Sequence, residues 1–425
     1  MDLQFLGGAD EVGRSAILVN DRLLLDYGIK TGTPPQFPVG QVEPEAVVVS
    51  HGHLDHAGAV PALLSGDRRP PIHLTPPTDE LTRVLARDTL KLHGPARDDG
   101  SGGRRSAGGR YDCPFTRTEL NRFTAATEHH GYREPFEAAG HRVTLFDAGH
   151  IPGSAHVLVD DGDTRLLYTG DFHTEDQRLL SGTTARPDAD VVLCESTYAD
   201  VSRPPRESIE ASFVDSIEST RWEGGTVVVP AFAIGRTQEI LLILDAHGID
   251  CYLDGMGKRV TRLFQSYPEY VRDADALRRA ASNVRFVDGR DGQRRRIADQ
   301  GTVIVTTAGM LQGGPAMTYV PAIRDRPVNT VALTGHQVEG TPGRQLLETG
   351  RAEIDGRVMP VSATVEGFDF SAHADRDGLH SFLSAYEDDT VLVNHGDETE
   401  RFATRLRGDG FDASSVELGE RCRVT

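Results

Sequence analysis

The segment Ser50-His51-Gly52-His53-Leu54-Asp55-His56 places three histidines and an aspartate within six residues. Imidazole and carboxylate donors without thiolate suit zinc or a similar divalent metal. The apolar run Ala46–Val49 predicts a strand that ends at His51. His51 and His53, two apart in an extended segment, point to the same side. Asp55 and His56 fall where the chain turns into a helix and face a second position. A surface histidine cluster this dense is rarely accidental. Further donors follow other apolar runs: His150 in Ala148-Gly149-His150, Asp171 in Tyr168-Thr169-Gly170-Asp171, and His395 in Val393-Asn394-His395. Asp26, which ends Leu23-Leu24-Leu25-Asp26, is positioned to orient a ligand histidine. One edge of a sheet is expected to collect them, where α/β proteins usually place their sites. Taken singly, a histidine at a strand end is more often a core or capping residue. The set as a whole, not any single residue, points to a metal centre.

Short apolar runs alternate with amphipathic stretches, the pattern of an α/β protein. Strands are predicted at Arg22–Leu25, Ala46–Ser50, Arg142–Phe146, Arg165–Tyr168, Val191–Cys194, Thr226–Val229, Thr302–Thr306, Thr330–Leu333 and Thr390–Val393. Helices are predicted at Arg206–Thr220, where Ile209, Phe213 and Ile217 recur every four residues, and at Arg236–Ala246, Val260–Gln265, Arg376–Tyr386 and Glu398–Leu406. Asp98–Gly109 is rich in Gly, Ser and Arg and reads as a flexible surface loop, a tolerated insertion in which Arg104 and Arg105, with Arg110 just beyond it, could also hold RNA.

The 425 residues exceed one ordinary core and imply two domains, or one with a large insertion. Apolar residues make up 38% and charged residues 26%, which excludes global disorder. No apolar run is long enough for a transmembrane helix, and the N-terminus lacks a signal-type segment, so a cytoplasmic protein without membrane contact is expected. Cys113, Cys194, Cys251 and Cys422 form no CxxC pair and read as reduced packing residues. The net charge is −19, and only three of the 45 basic residues are lysine. Such a surface suits concentrated salt, although simple acidity in a GC-rich genome gives the same composition. It also argues against nucleic-acid binding through a broad basic face.

HxHxDH, a later single His, a later single Asp and a final His together resemble the metallo-β-lactamase superfamily, whose fold is an αββα sandwich. Within it the sequence is similar to the β-CASP ribonucleases, which carry an inserted α/β domain. Glu195 in Cys194-Glu195-Ser196-Thr197-Tyr198 resembles that family's acidic motif A. His373 in Phe370-Ser371-Ala372-His373-Ala374-Asp375 resembles motif B, and His395 motif C. Three stretches resemble parts of the inserted domain: Val229-Pro230-Ala231-Phe232-Ala233-Ile234-Gly235-Arg236, Ala308-Gly309-Met310-Leu311-Gln312-Gly313-Gly314-Pro315 and Glu339-Gly340-Thr341-Pro342-Gly343-Arg344. The opening Phe5-Leu6-Gly7-Gly8-Ala9-Asp10-Glu11 looks most like archaeal homologues of the cleavage and polyadenylation nuclease subunit that lack KH domains.

The resemblance implies residues 1–197 as the first part of a metallo-β-lactamase domain, 198–350 as the β-CASP domain and 351–425 as the return segment. It implies two Zn2+ ions, with Mn2+ as an alternative: His51, His53 and His150 on one, Asp55, His56 and His395 on the other, and Asp171 bridging. Two divalent ions ~3.5–4 Å apart lower the pKa of a shared water toward ~7 and neutralise a phosphate in reaction. His373 would be the general acid, oriented by Glu195. His156 reads as structural, and the sequence does not decide His173. RNA contacts are expected from Gly309, Gly313 and Gly343 by close backbone approach, and from Thr341 and Arg344 as donors. Arg236, at a predicted helix start, reads equally as an RNA contact or an ion pair. The implied activity is hydrolysis of single-stranded RNA, endonucleolytic, in 3′-end processing or decay, by a homodimer that meets other RNA-processing or transcription factors. A 5′→3′ exonuclease of RNase J type, a DNA nuclease, a small-molecule metallo-hydrolase and a catalytically silent RNA-processing subunit remain as rivals.

Overall fold

The computed structural model describes residues 1–32, 34–93, 113–290 and 292–425. The Asp98–Gly109 stretch and Arg104, Arg105 and Arg110 therefore lie outside the described residues. Apolar side chains set the buried face of the first strand. In Asp2–Gly7, Leu3, Phe5 and Leu6 are buried while Asp2 faces out. That strand joins a seven-stranded sheet in the order Arg421–Arg423, Asp2–Gly7, Ala16–Val19, Leu23–Leu25, Ala46–Val48, Ile72–Leu74 and Thr127–His129. A second seven-stranded sheet runs Asp412–Ser415, Thr390–Asn394, Val191–Glu195, Arg165–Tyr168, Ala155–Asp160, His141–Asp147 and Phe136–Ala138. Leu3, Phe5, Ile17, Leu25 and Val48 meet Leu145, Val157, Leu166 and Val191 between the two sheets. Helices cover both outer faces, among them Pro76–His93 and Arg117–Ala126 on one side and Arg376–Leu383 and Thr399–Gly408 on the other.

A third sheet of six parallel strands lies between Val191–Glu195 and Thr390–Asn394 in sequence. Its order is Arg285–Phe286, Cys251–Asp254, Val303–Thr306, Val227–Pro230, Thr330–Leu333 and Thr364–Gly367. The central strands Val227–Pro230 and Val303–Thr306 are fully buried and nearly continuous Val and Ile because both faces are covered. Strand Thr364–Gly367 pairs with Thr330–Leu333, so this sheet takes residues beyond the boundary expected at 351. The reason lies in the short hairpin Arg351–Ile354 and Arg357–Pro360, which turns the chain back toward the same sheet. The excursion closes where Val191–Glu195 pairs in parallel with Thr390–Asn394, setting Glu195 opposite Asn394.

Glu239 anchors the inserted sheet to the sandwich. Its carboxylate is buried and accepts the backbone N–H groups of Arg178 at 3.1 Å and Leu179 at 2.7 Å, plus Arg206 Nη2 at 2.6 Å. Leu81, Ile151, Leu179 and Leu180 from the sandwich share one apolar cluster with Phe213, Ile240 and Val260 of the insert. No helix among the described residues is long and apolar enough to cross a membrane.

Candidate metal centre

The donors singled out in the sequence gather at strand ends and in the turn and short helix beyond one of them, but two sheets supply them, not the single edge expected. Leu23–Leu25, Ala46–Val48 and the turn after it bring Asp26, His51, His53, Asp55 and His56 from the first sheet. The second sheet brings His150, Asp171, Glu195 and His395. Asp26 and His395 adopt positive φ, 58° and 47°, where the chain reverses sharply at the strand ends. Gly28 lets the backbone pass the His-rich turn, since a Cβ there would sit 1.7 Å from the Asp55 carbonyl oxygen.

Two groups of ligand atoms result, each within 4.8 Å: His51, His53, His150 and Asp171, and Asp55, His56, Asp171 and His395. In the first, His53 Nδ1 lies 3.2 Å from His51 Nε2 and 3.0 Å from His150 Nε2, and His51 Nε2 is 3.5 Å from Asp171 Oδ2. In the second, His56 Nε2 and His395 Nδ1 lie 3.2 and 3.1 Å from Asp171 Oδ1, and His395 Nε2 is 3.8 Å from Asp55 Oδ2. Asp171 belongs to both groups and is 2% exposed.

The ring environments separate the histidines. Burial holds His51 and His150 well below the usual imidazole range and lowers His53, which leaves lone pairs free to coordinate. Burial also opposes charge on His56, but the carboxylates of Asp171 and Asp26 outweigh it and hold His56 well above that range. Asp26 is fully buried and takes four donors: Ser50 N–H at 2.7 Å, Ser50 Oγ–H at 2.7 Å, Tyr168 O–H at 2.8 Å and His56 Nδ1–H at 2.7 Å. With its Nδ1 so fixed, His56 turns Nε2 toward Asp171. His150 is held likewise, its Nδ1–H donating to the Ala372 carbonyl at 2.8 Å.

The donor set fits divalent ions. Three buried atoms, His56 Nε2, Asp171 Oδ1 and His395 Nδ1, converge without a satisfactory hydrogen bond among the described residues. Unpaired buried polar atoms of this kind are ordinarily costly unless an ion or water takes them up.

His373 stands beside this centre. Its Nδ1 lies 3.1 and 3.2 Å from the two Glu195 oxygens, and its Nε2 is 3.9 Å from Asp171 Oδ2. Glu195 is itself fixed by the N–H groups of Phe172 at 3.0 Å and Thr197 at 3.3 Å. Burial works against charge on His373, but Glu195 and then Asp171 raise its pKa above the usual value. His156 is structural as expected, donating Nδ1–H to the Thr169 carbonyl at 2.8 Å and packing against Phe172 and Phe382. His173 is buried, and burial brings its pKa down to about 3.

The expected RNA contacts are placed less favourably. The Thr341 hydroxyl caps helix Pro342–Thr349, accepting from Arg344 N–H at 3.3 Å and donating to the Val338 carbonyl at 2.6 Å, so it is not a free donor. Gly343 packs closely on a neighbouring side chain, since a Cβ there would lie 1.9 Å from Gln337 Oε1. Arg344 pairs with Glu348 at 2.6 Å on the surface. Arg236 is buried, with Nη1 lacking a hydrogen bond among the described residues, and burial lowers its pKa to about 9. Gly309 packs against the backbone of Ala231 and Phe232, while Gly313 borders open space at φ 93°.

Further residues support the site. Ser50 and Tyr168 hold Asp26. Arg203 donates to the His373 carbonyl at 3.0 Å and pairs with Asp369 at 2.8 Å. The Tyr198 ring lies 5.5 Å from His373 and 5.8 Å from His336. Ser50, Tyr168 and Tyr198 fall inside motifs already picked out, whereas nothing local marks Arg203 or His336.

Histidines and aspartates gathered at the strand ends of a two-sheet sandwich define a metal-dependent hydrolase. Comparison with known families agrees in three segments. Residues 9–219 match the metallo-beta-lactamase superfamily, 237–346 the Beta-Casp domain and 358–424 the Zn-dependent metallo-hydrolase RNA specificity domain. The chain is 34% identical to the probable RNase MJ4 of Methanocaldococcus jannaschii over the full length of both. It is also 34% identical to RNase aCSPSF2 of Saccharolobus solfataricus, over 93% of this chain and 79% of that protein. A crystal structure of a protein of unknown function from Enterococcus faecalis shares the fold at a TM-score of 0.61, with 13% identity over 99% of each chain. The chain belongs to the β-CASP family of metallo-β-lactamase RNA nucleases.

Replacing Asp26 by Ala removes the acceptor for His56, Ser50 and Tyr168 together. Zinc affinity is expected to fall ~10–100-fold, with activity falling alongside it. Unchanged affinity in a zinc titration against a chromophoric chelator would refute the orienting role.

Proposed function

We propose that this chain is a two-metal ribonuclease that cuts single-stranded RNA internally, leaving a 5′-phosphate and a 3′-hydroxyl. The observation that carries this reading is the convergence of two ligand groups on Asp171, with the His373–Glu195 pair 3.9 Å from it. His51, His53 and His150 would hold one ion, Asp55, His56 and His395 the other, and Asp171 both. When bound, two divalent ions supply an activated water and offset the charge of the scissile phosphate. Zn2+ suits the nitrogen-rich donor set best.

The chain's own residues do the rest. Asp26 holds His56 in the tautomer that presents Nε2. Glu195 fixes His373 through Nδ1 and leaves Nε2–H directed at the centre. As the bond between phosphorus and the ribose 3′ oxygen breaks, that oxygen takes the Nε2 proton, and the incoming water oxygen remains on phosphorus. A strand of RNA has an aromatic path away from this point. Tyr198 meets His373, His336 meets Tyr198, and Phe232, 38% exposed, lies against Gly309 and Gly335. Stacking on exposed rings binds bases without regard to sequence and without a broad basic face.

The test is cleavage of single-stranded RNA carrying both internal and 5′ labels, with zinc present. Wild type is expected to give internal fragments, with kcat in His373→Ala down ~10³-fold. Phe232→Ala is expected to raise KM ~10-fold with kcat little changed. Mononucleotides released from the 5′ end would replace the endonuclease by an exonuclease. Intact RNA with metal bound would overturn the ribonuclease reading.

A further inference from the structure

At the edge of the first sheet, three side chains outside the Asp171 centre also present ligand atoms to one another. His73 is the middle residue of strand Ile72–Leu74, which pairs in parallel with the edge strand Thr127–His129, and that register sets His73 opposite Glu128. The chain then continues to His130, whose N–H donates to the Leu74 carbonyl at 3.0 Å and holds it beside the same strand. As a result His73 Nδ1 lies 3.0 Å from His130 Nε2 and 3.6 Å from Glu128 Oε2. All three ligand atoms lie within 4.8 Å of one another.

The rings are held in this arrangement by packing. His130 stacks on Phe136 with centroids 3.6 Å apart and planes inclined by 12°, and Phe136 also lies 5.0 Å from the His73 ring. Burial takes the His73 pKa down to about 4 and lowers that of His130, so both imidazoles keep lone pairs for coordination. In a tetrahedral zinc site with bonds of ~2.0–2.1 Å, neighbouring ligand atoms stand about 3.3 Å apart. The separations of 3.0 and 3.6 Å bracket that spacing. His73 is 3% exposed, whereas the Glu128 side chain is 58% exposed, so the group is closed at its base and open to solvent at its mouth.

We propose that His73, Glu128 and His130 form a third metal site that takes a borderline divalent ion such as Zn2+. Two imidazoles and one carboxylate supply three ligands, and water completes the fourth. Nitrogen donors and a single carboxylate disfavour Ca2+ and Mg2+, which require more oxygen ligands. The ion clamps the edge strand Thr127–His129 to the strand beside it. This assists the tie on the same strand between His129 Nε2 and Asp79 Oδ2 at 2.8 Å. The role is structural, because none of the three residues belongs to the groups around Asp171.

The test is metal content per full-length chain by mass spectrometry, after loading with Zn2+ and dialysis, for wild type, Glu128→Gln and His130→Ala. Glu128 is exposed and His130 half-buried, so both variants are expected to keep the fold. The expected result is one zinc equivalent fewer in each variant, with RNA cleavage within about twofold of wild type. Equal metal content in all three proteins would overturn the site. So would loss of cleavage together with the missing ion, because that ion would then belong to the Asp171 centre. If wild type itself cleaves no RNA, the zinc count still decides the third site independently.

Discussion

A fully desolvated carboxylate governs the arrangement of this molecule. Asp171 is 2% exposed, and no Lys or Arg among the described residues pairs with it; its close partners are the rings of His51, His56, His150, His373 and His395. Burial alone would raise its pKa, yet His56, His395 and His373 hold it well below the usual carboxylate range. A buried charge without strong compensation is expensive, so positive charge must be delivered at this point. Divalent ions held by these rings would supply it. The two-sheet sandwich exists around that requirement: each sheet contributes strand ends to one side of Asp171, and the apolar layer between them fixes their separation.

The inserted domain answers a different constraint. A net charge of −19 is a poor starting point for binding a polyanion through long-range attraction. In the proposed function, the rings of Tyr198, His336 and Phe232 would instead bind bases by short-ranged stacking. The insert is joined to the sandwich by buried contacts. Glu239 accepts from two backbone N–H groups and one arginine of the surrounding chain, and the apolar cluster at its base includes residues of both parts.

The centre was legible in the sequence because most of its residues follow apolar runs of three or four, which mark strand ends whatever the tertiary context. Strands such as Arg165–Tyr168 and Thr330–Leu333 and the helix Arg236–Ala246 coincide with the periodicity. The helix Pro76–His93 escaped because its buried face includes Pro77, Thr78, Asp79, Thr82 and Thr89 among few apolar residues. Edge strands such as Arg421–Arg423 carry almost no apolar signal. Several of the expected RNA contacts also have structural uses. Gly343 and Thr341 serve packing and capping, and composition alone does not separate those uses from ligand approach. Arg203 and His336 reach the site only through long-range folding, which no local pattern encodes.

The central claim is that one carboxylate serves two ions. Anomalous X-ray scattering at the zinc edge, from crystals grown with zinc, tests it most directly. The account requires one ion among His51, His53 and His150 and another among Asp55, His56 and His395, both touching Asp171. A single ion in this centre, or two that do not share Asp171, would contradict it.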